Sequence, residues 1–329
     1  MIRREIGRTG REVNAIGLGC MGMSIAYGEP MAQGEAVKLL HAALARGVAH
    51  FDTAELYGFG ANEELLGAAF HDRRDKAFIA TKFGPVGDLK ERTVRGVDGS
   101  EANMRRAIEQ SLRLLKTDHV DLYYLHRKDP GRPIEETVEA MAKLVKEGKI
   151  GAIGLSEVNA DSLRRAQAVH PIAAVQWEYS IFTRDIEREV LPLCWDTGVT
   201  VVAYSPLGRG MLTGAFTRDH KPEGQDYRAV VSPRFKGEAY GANIDLVEEI
   251  ERLAKARGAQ PSQIALAWVL ATKPNVVTIP GTTKLANLEA NLQAADIKLT
   301  AEETASLDGL ADKVQGERYD ERGMTLVDA

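Results

Sequence analysis

The sequence predicts an α/β fold in which eight parallel strands close into a (β/α)8 TIM barrel, with an N-terminal β-hairpin plug and extra C-terminal helices. Three observations predict it. Eight short apolar segments alternate with longer amphipathic ones, the pattern of βαβ units. The 329 residues suit a barrel of about 250 residues plus insertions. No Pro/Gly/Ser-rich linker divides the chain, so one barrel domain over 1–329 is expected. An open doubly wound sheet is the competing closure. The strand count, the length and a hairpin placed to plug the lower mouth favour the barrel.

In chain order, Arg4-Glu5-Ile6 and Glu12-Val13-Asn14-Ala15 flank the turn signal Thr9-Gly10 and predict the hairpin. Strands are predicted at 15–19, 49–52, 77–82, 120–126, 150–155, 173–176, 199–204 and 276–279, each rich in Val, Ile, Leu, Tyr or Phe. Apolar spacings of three and four predict helices at 35–46, 101–116, 134–147, 161–169, 184–196, 243–257 and 261–271. Gly47 and Gly148 end the first and third of these, and Pro261 opens the last. Segments 284–292 and 301–311 follow the final strand, then a short tail. The stretch 205–242, rich in Gly, Pro and Arg, is too long for a plain connector and is expected to be a functional loop.

Composition narrows the function. Hydrophobic residues make up 44% and charged residues 27%, the mix of a globular protein able to bury roughly 75% of its unfolded surface. A net charge of −5 and no basic stripe argue against nucleic acid and anionic membrane as partners. No apolar run reaches membrane-spanning length. Cys20 and Cys194 make neither a disulfide framework nor a four-thiolate zinc site. The seven histidines form no H-x-x-x-H pair, so no metal is expected. Arg3-Arg4-Glu5 puts charge where a signal peptide needs an apolar core. A reduced, cytoplasmic protein is expected.

One motif misleads. Gly17-Leu18-Gly19-Cys20-Met21-Gly22 matches G-x-G-x-x-G. A dinucleotide loop needs a helix opening at the glycines and an acid about 20 residues on. A loop follows instead, and Ala42 stands at that distance. A glycine-rich first strand and turn is the better reading.

Four polar residues fall at or just beyond strand ends: Asp52, Tyr57 five residues on, Lys82 and His126. In a barrel these positions converge on the C-terminal mouth, where such enzymes keep their chemistry. Each has a structural explanation alone: a helix cap, loop packing, a surface lysine, a satisfied histidine. Together they make a proton donor. A tyrosine with an ordinary pKa of about 10 is a poor acid near neutrality. An adjacent ammonium stabilises phenolate, and a carboxylate keeps that ammonium charged away from water. A neutral His126 orients a substrate oxygen by hydrogen bonding. The set lacks a hydride source, which a cofactor must supply.

The surroundings are Phe51-Asp52-Thr53-Ala54-Glu55-Leu56-Tyr57-Gly58, Ala80-Thr81-Lys82 and Asp121-Leu122-Tyr123-Tyr124-Leu125-His126-Arg127. Further on come Gly154-Leu155-Ser156-Glu157, Val175-Gln176-Trp177-Glu178-Tyr179-Ser180, Ala203-Tyr204-Ser205-Pro206-Leu207-Gly208-Arg209-Gly210 and Ile279-Pro280-Gly281-Thr282-Thr283-Lys284. In type and order these resemble the aldo-keto reductase superfamily from about residue 3 to residue 315. Gly19-Cys20-Met21-Gly22-Met23-Ser24 and His126-Arg127-Lys128-Asp129-Pro130 are similar to a bacterial and plant branch that uses NADPH.

The resemblance implies NADP(H) at the mouth of the barrel, with Asp52, Tyr57, Lys82 and His126 catalytic. It implies Ser156 and Gln176 on the nicotinamide carboxamide, and Tyr204 stacked on the ring. Ser205, Pro206, Leu207, Gly208, Arg209 and Gly210 would wrap the pyrophosphate, with Met21 also beside the cofactor. Gly281, Thr282, Thr283 and Lys284 would receive the 2′-phosphate, and Asn287 and Asn291 the adenine end. Three departures stand out. Glu157 replaces a common Asn, Asn287 a common Arg, and Ala290 a common Glu. The last two loosen the adenosine grip and leave NADH use open beside NADPH. Met21, Met23, Tyr27, Phe83, Trp177, Met211, Tyr227 and Phe235 are the expected lining of an apolar substrate pocket.

The expected activity is reduction of a small aldehyde or ketone with NADPH, by hydride transfer from nicotinamide C4 with Tyr57 as general acid. The resemblance admits a second role, a cofactor-binding sensor or auxiliary subunit, which the intact tetrad argues against. An unrelated barrel enzyme with Lys82 as a Schiff-base lysine would have no use for Gln176, Tyr204 or the 281–284 loop. Monomer and homo-oligomer both fit the family.

Overall fold

The computed structural model describes residues 2–88, 93–224 and 226–328. Strands β1 (Arg3–Glu5) and β2 (Glu12–Asn14) pair antiparallel, with Arg4 opposite Val13. Next come β3 (Leu18–Gly19), β4 (His50–Asp52) and β5 (Phe78–Phe83), then a second antiparallel hairpin of β6 (Pro85–Asp88) and β7 (Thr93–Val97). The remaining strands are β8 (Leu122–Leu125), β9 (Ile153–Ser156), β10 (Ala174–Glu178), β11 (Thr200–Tyr204) and β12 (Val276–Thr278). β3, β4, β5 and β8 to β12 form an eight-stranded parallel sheet in that order. All eight predicted strands are there, with ends shifted by a few residues. The seam closes where Ile16 pairs with Thr278 and Gly19 with Gly281. A Cβ on Gly19 would lie 2.6 Å from the Ile279 carbonyl oxygen. The glycines of the misleading motif therefore serve strand closure, which needs close backbone approach.

The outer layer holds α1 (Gln33–Ala45), α2 (Ala61–Phe70), α3 (Glu101–Leu115), α4 (Ile134–Lys146), α5 (Ala160–Val169) and α6 (Val190–Thr197). The long loop after β11 carries a 3-10 segment, Gly208–Thr213, and α7 (Tyr227–Val231). Then come α8 (Gly237–Ala256), α9 (Pro261–Thr272), α10 (Leu285–Gln293), α11 (Ala301–Asp308) and α12 (Glu321–Met324). Side chains close several N-termini: Ser100 on α3, Asn159 on α5, Thr300 on α11. Each satisfies a backbone N–H that the helix leaves unpaired.

Two departures have clear causes. The helix expected over 184–196 is split into a 3-10 turn, Asp185–Glu187, and α6. Pro192 suits the first turn of a helix but clashes with the carbonyl four residues earlier in a continuous one. Helix α2 and the β6–β7 hairpin are absent from the sequence reading. Seven of the ten α2 residues are buried, Asn62 and Glu63 among them, so no amphipathic stripe marks the helix.

Alternate residues of each strand face the barrel axis. Phe78, Ala80, Leu122, Tyr124, Ala152, Ala174, Val202, Val277 and Ile279 fill that interior, and Ile6 and Val13 of the hairpin pack against them. The Gly7 N–H donates to the Thr200 hydroxyl at 2.7 Å, and that hydroxyl donates to the Glu5 carbonyl at 2.9 Å. The predicted plug is thus in place at the N-terminal end of the strands.

Candidate active site

Continuing the inward parity reaches the site. Two residues past Ala80 is Lys82, two past Tyr124 is His126, and two past His50 is Asp52. The same step from Gly154 gives Ser156, from Ala174 Gln176, and from Val202 Tyr204. The interior is apolar below and turns polar at the C-terminal ends of the strands. Tyr57 joins it from the 3-10 turn Tyr57–Gly60 that follows β4.

Lys82 and Asp52 are an ion pair with side chains 0% and 2% exposed. Lys82 Nζ donates to Asp52 Oδ1, to the Thr53 carbonyl at 2.7 Å and to the Tyr57 hydroxyl at 3.4 Å. Gln176 Nε2 donates to the other Asp52 oxygen at 2.8 Å. Tyr57 lies edge-on to His126, ring centroids 5.8 Å apart. The four residues picked from strand ends are therefore one cluster.

The electrostatics differ from the expectation in one respect. Burial, and then Asp52, push the Tyr57 phenol well above its ordinary value, against the opposing pull of Arg127. The predicted lowering by Lys82 does not prevail, because that ammonium is neutralised by Asp52 and its own pKa is lowered by burial. Tyr57 is held as the protonated phenol. Burial, then Lys82 and Arg127, push His126 well below its usual value, so the imidazole is neutral at physiological pH.

This predicts a pH dependence of stability. His126 and His50, the latter lowered to about 4 by burial, stay neutral when folded but take up protons below about 6.5 once unfolded. Glu63 acts oppositely: burial raises it to about 7, so the folded state binds the extra proton between its ordinary carboxylate range and pH 7. Two histidines against one glutamate leave a slope of about 1.4 kcal/mol per pH unit, with stability lost as pH falls from 6.5 to 5. Urea unfolding at those two pH values should show the lower midpoint at pH 5. An equal or higher midpoint there contradicts the assignment.

The residues expected at the cofactor lie around one half of the mouth. Ser156 ends β9, buried, and its Oγ accepts from Arg127 Nη1 at 3.2 Å. Tyr204 ends β11, and its hydroxyl donates to Glu157 Oε1 at 2.7 Å. In the loop after it, Ser205, Gly208, Arg209 and Gly210 take positive φ of 47°, 56°, 58° and 96°, which turns successive backbone N–H groups toward one side. Arg209 pairs with Glu178 at 3.1 Å, both buried, and its Nη1 has no partner among the described residues. A cationic donor left over beside a glycine-bounded loop fits an anionic group such as a pyrophosphate. Gly281, Thr282, Thr283 and Lys284 precede α10, with Thr282 Oγ1 accepting from the Lys284 N–H at 3.0 Å and the Lys284 side chain exposed. Asn287 is exposed on α10 and Asn291 buried. Met21 opens a 3-10 turn, Met21–Met23, after β3.

The apolar pocket is only partly brought together. Met23, Phe83 and Trp177 belong to the packing between strands and helices. Parity explains two of them: Lys82 and Gln176 point inward, so Phe83 and Trp177 point outward. Met211 and Phe235 line a cavity of about 240 Å³ with Glu178, Arg209 and Arg318.

A family model described as the aldo/keto reductase family matches residues 15–312. The chain belongs to the aldo/keto reductase family. It is 44% identical over 301 residues to "Probable aldo-keto reductase 1" of Glycine max, covering 90% of this chain and 85% of that one. It resembles the structure of the glycerol dehydrogenase AKR11B4 from Gluconobacter oxydans, with TM-score 0.86, 31% identity and 97% of each chain covered. An aldo-keto reductase from Klebsiella pneumoniae crystallised with NADPH matches at TM-score 0.75 and 32% identity, over 97% of this chain and 99% of that one. As a member of this family the protein is an oxidoreductase.

Several residues of this aldo/keto reductase escaped the sequence reading. Arg318 and Tyr319 lie beyond the span that the family model matches, in what reads as a tail. Glu178 and Arg127 stand inside quoted motifs, but nothing in their spacing marks them as partners of Arg209 and Ser156.

Proposed function

We propose that this aldo/keto reductase reduces small aldehydes or ketones to alcohols with NADPH. The observation that carries the reading is the Asp52–Lys82–Tyr57 cluster: a buried ammonium 3.4 Å from a protonated phenol, anchored by a carboxylate, beside a neutral histidine. When bound, the dinucleotide supplies hydride from nicotinamide C4 to the carbonyl carbon. Tyr57 gives its proton to the carbonyl oxygen as negative charge develops there. An alkoxide is more basic than phenolate, so a phenol with a raised pKa still protonates it. Lys82 stabilises the phenolate left behind, and Asp52 keeps Lys82 charged and in place. His126 hydrogen-bonds the substrate oxygen and fixes its approach. Ser156 and Gln176 would hold the carboxamide, Tyr204 the ring, and the 205–210 loop the pyrophosphate. Lys284 and the 281–283 amides before α10 suit a 2′-phosphate.

Quenching of tryptophan fluorescence by NADPH and then NADH tests this, with a panel of aldehydes added afterwards. A charge-assisted contact at Lys284 predicts NADPH affinity about tenfold or more above NADH, followed by NADPH oxidation when an aldehyde is added. Equal affinities remove the Lys284 phosphate site. Binding of neither, or binding without turnover on any carbonyl, overturns the reading.

A further inference from the structure

Residues 315–328 pass over the mouth. The Asp320 N–H donates to the Val231 carbonyl at 3.0 Å, and the Asp328 N–H to the Glu157 carbonyl at 3.1 Å. The Asp328 carboxylate accepts from Ser162 Oγ at 2.6 Å and from Lys128 Nζ at 2.8 Å. At the centre, Arg318 meets Glu157 fork to fork: Nη1 to Oε1 at 2.9 Å and Nη2 to Oε2 at 2.8 Å. Both side chains are buried, 2% and 0% exposed.

Glu157 does more than hold Arg318. Its Oε1 also accepts from the Tyr204 hydroxyl at 2.7 Å and the Glu178 N–H at 3.1 Å. The residue sits at φ 55°, a left-handed conformation that costs energy for any side chain with a Cβ and persists where surrounding contacts hold it. The neighbouring Tyr319 hydroxyl lies 2.7 Å from that of Tyr204 and 3.4 Å from Arg127 Nη2. The Arg209 guanidinium stands 4.4 Å from the Tyr319 ring centroid. One strap thus touches three side chains on the cofactor half of the mouth, and one carboxylate joins the strap to Tyr204.

We propose that Glu157 and Arg318 are positioning residues for the cofactor. Their pair fixes the Tyr204 ring, and through Tyr319 it sets Arg127 and Arg209, in the arrangement that receives the nicotinamide end. The proposal rests on the functional reading above. It also gives a use to Glu157 where relatives commonly carry Asn: a bidentate carboxylate can hold an arginine and a tyrosine at once, whereas an amide cannot accept the guanidinium fork.

The test separates positioning from stapling. Arg318→Met leaves Glu157 buried and unpaired, so this variant should lose thermal stability. The double variant Glu157→Gln/Arg318→Met removes the charge as well, and a neutral pair of similar volume commonly restores stability. If the pair only staples the tail, function returns with stability. If it positions Tyr204, the double variant stays defective: its Kd and KM for NADPH rise by roughly three- to tenfold, the worth of one aromatic stacking contact, with a smaller fall in kcat. Arg318→Lys keeps the charge, loses the fork and should show the same affinity loss in a folded protein. Wild-type NADPH affinity in both Arg318→Lys and a stable double variant overturns the proposal. A wild-type protein that fails to bind NADPH overturns the functional reading instead, and the proposal with it.

Discussion

Tyr57→Phe should lower kcat by about 10²- to 10⁴-fold, the usual contribution of a positioned general acid. The fold should be unaffected, because the change removes one hydroxyl whose only printed side-chain contact is the 3.4 Å approach of Lys82. NADPH binding should survive, since Tyr57 is not among the residues that hold the dinucleotide in the proposed arrangement. The expected signature is a catalytic defect with cofactor affinity and thermal midpoint near wild type. Steady-state kinetics together with a fluorescence titration measure both. A variant that keeps most of its turnover would assign the proton to another group.

Lys82→Met should damage both stability and chemistry. Lys82 is fully buried and paired with Asp52, and breaking a buried pair from one side costs about 3–5 kcal/mol because the remaining charge is stranded. Gln176 and its 2.8 Å hydrogen bond to Asp52 offset part of that loss. Catalysis falls further, since the phenolate formed from Tyr57 loses its ammonium. The urea midpoint should drop sharply in Lys82→Met and recover partly in Asp52→Asn/Lys82→Met, where no charge is stranded, while turnover stays low in both. A double variant that regains turnover along with stability would show that the pair supports the fold and not the reaction.

The barrel was legible because its signal is local and repeated. Each strand carries β-branched and aromatic residues over a short run, and each amphipathic helix shows its stripe. Helix α2 was missed for the opposite reason: it is buried on most sides, so its pattern has no polar face. The 184–196 segment was over-read because its apolar spacing ran through Pro192. The tetrad was legible because strand ends can be counted from sequence, and the inward parity then decides direction. The same parity, applied to Lys82 and Gln176, would have moved Phe83 and Trp177 out of the pocket. The Tyr57 shift was misjudged because its sign depends on how far the Lys82 charge is cancelled by Asp52, which is a matter of distance and burial. The strap was illegible: Arg318 and Glu157 are 161 residues apart, and nothing local in either segment announces the other.

A single-turnover comparison tests the central claim most directly. Wild type and Tyr57→Phe are loaded with NADPH, mixed with an aldehyde, and the reduced nicotinamide absorbance is followed. The account predicts rapid loss of the signal in wild type, matched by one alcohol per cofactor. It predicts a bound but slow cofactor in Tyr57→Phe, slower by about 10² or more. Equal rates in the two proteins would contradict it.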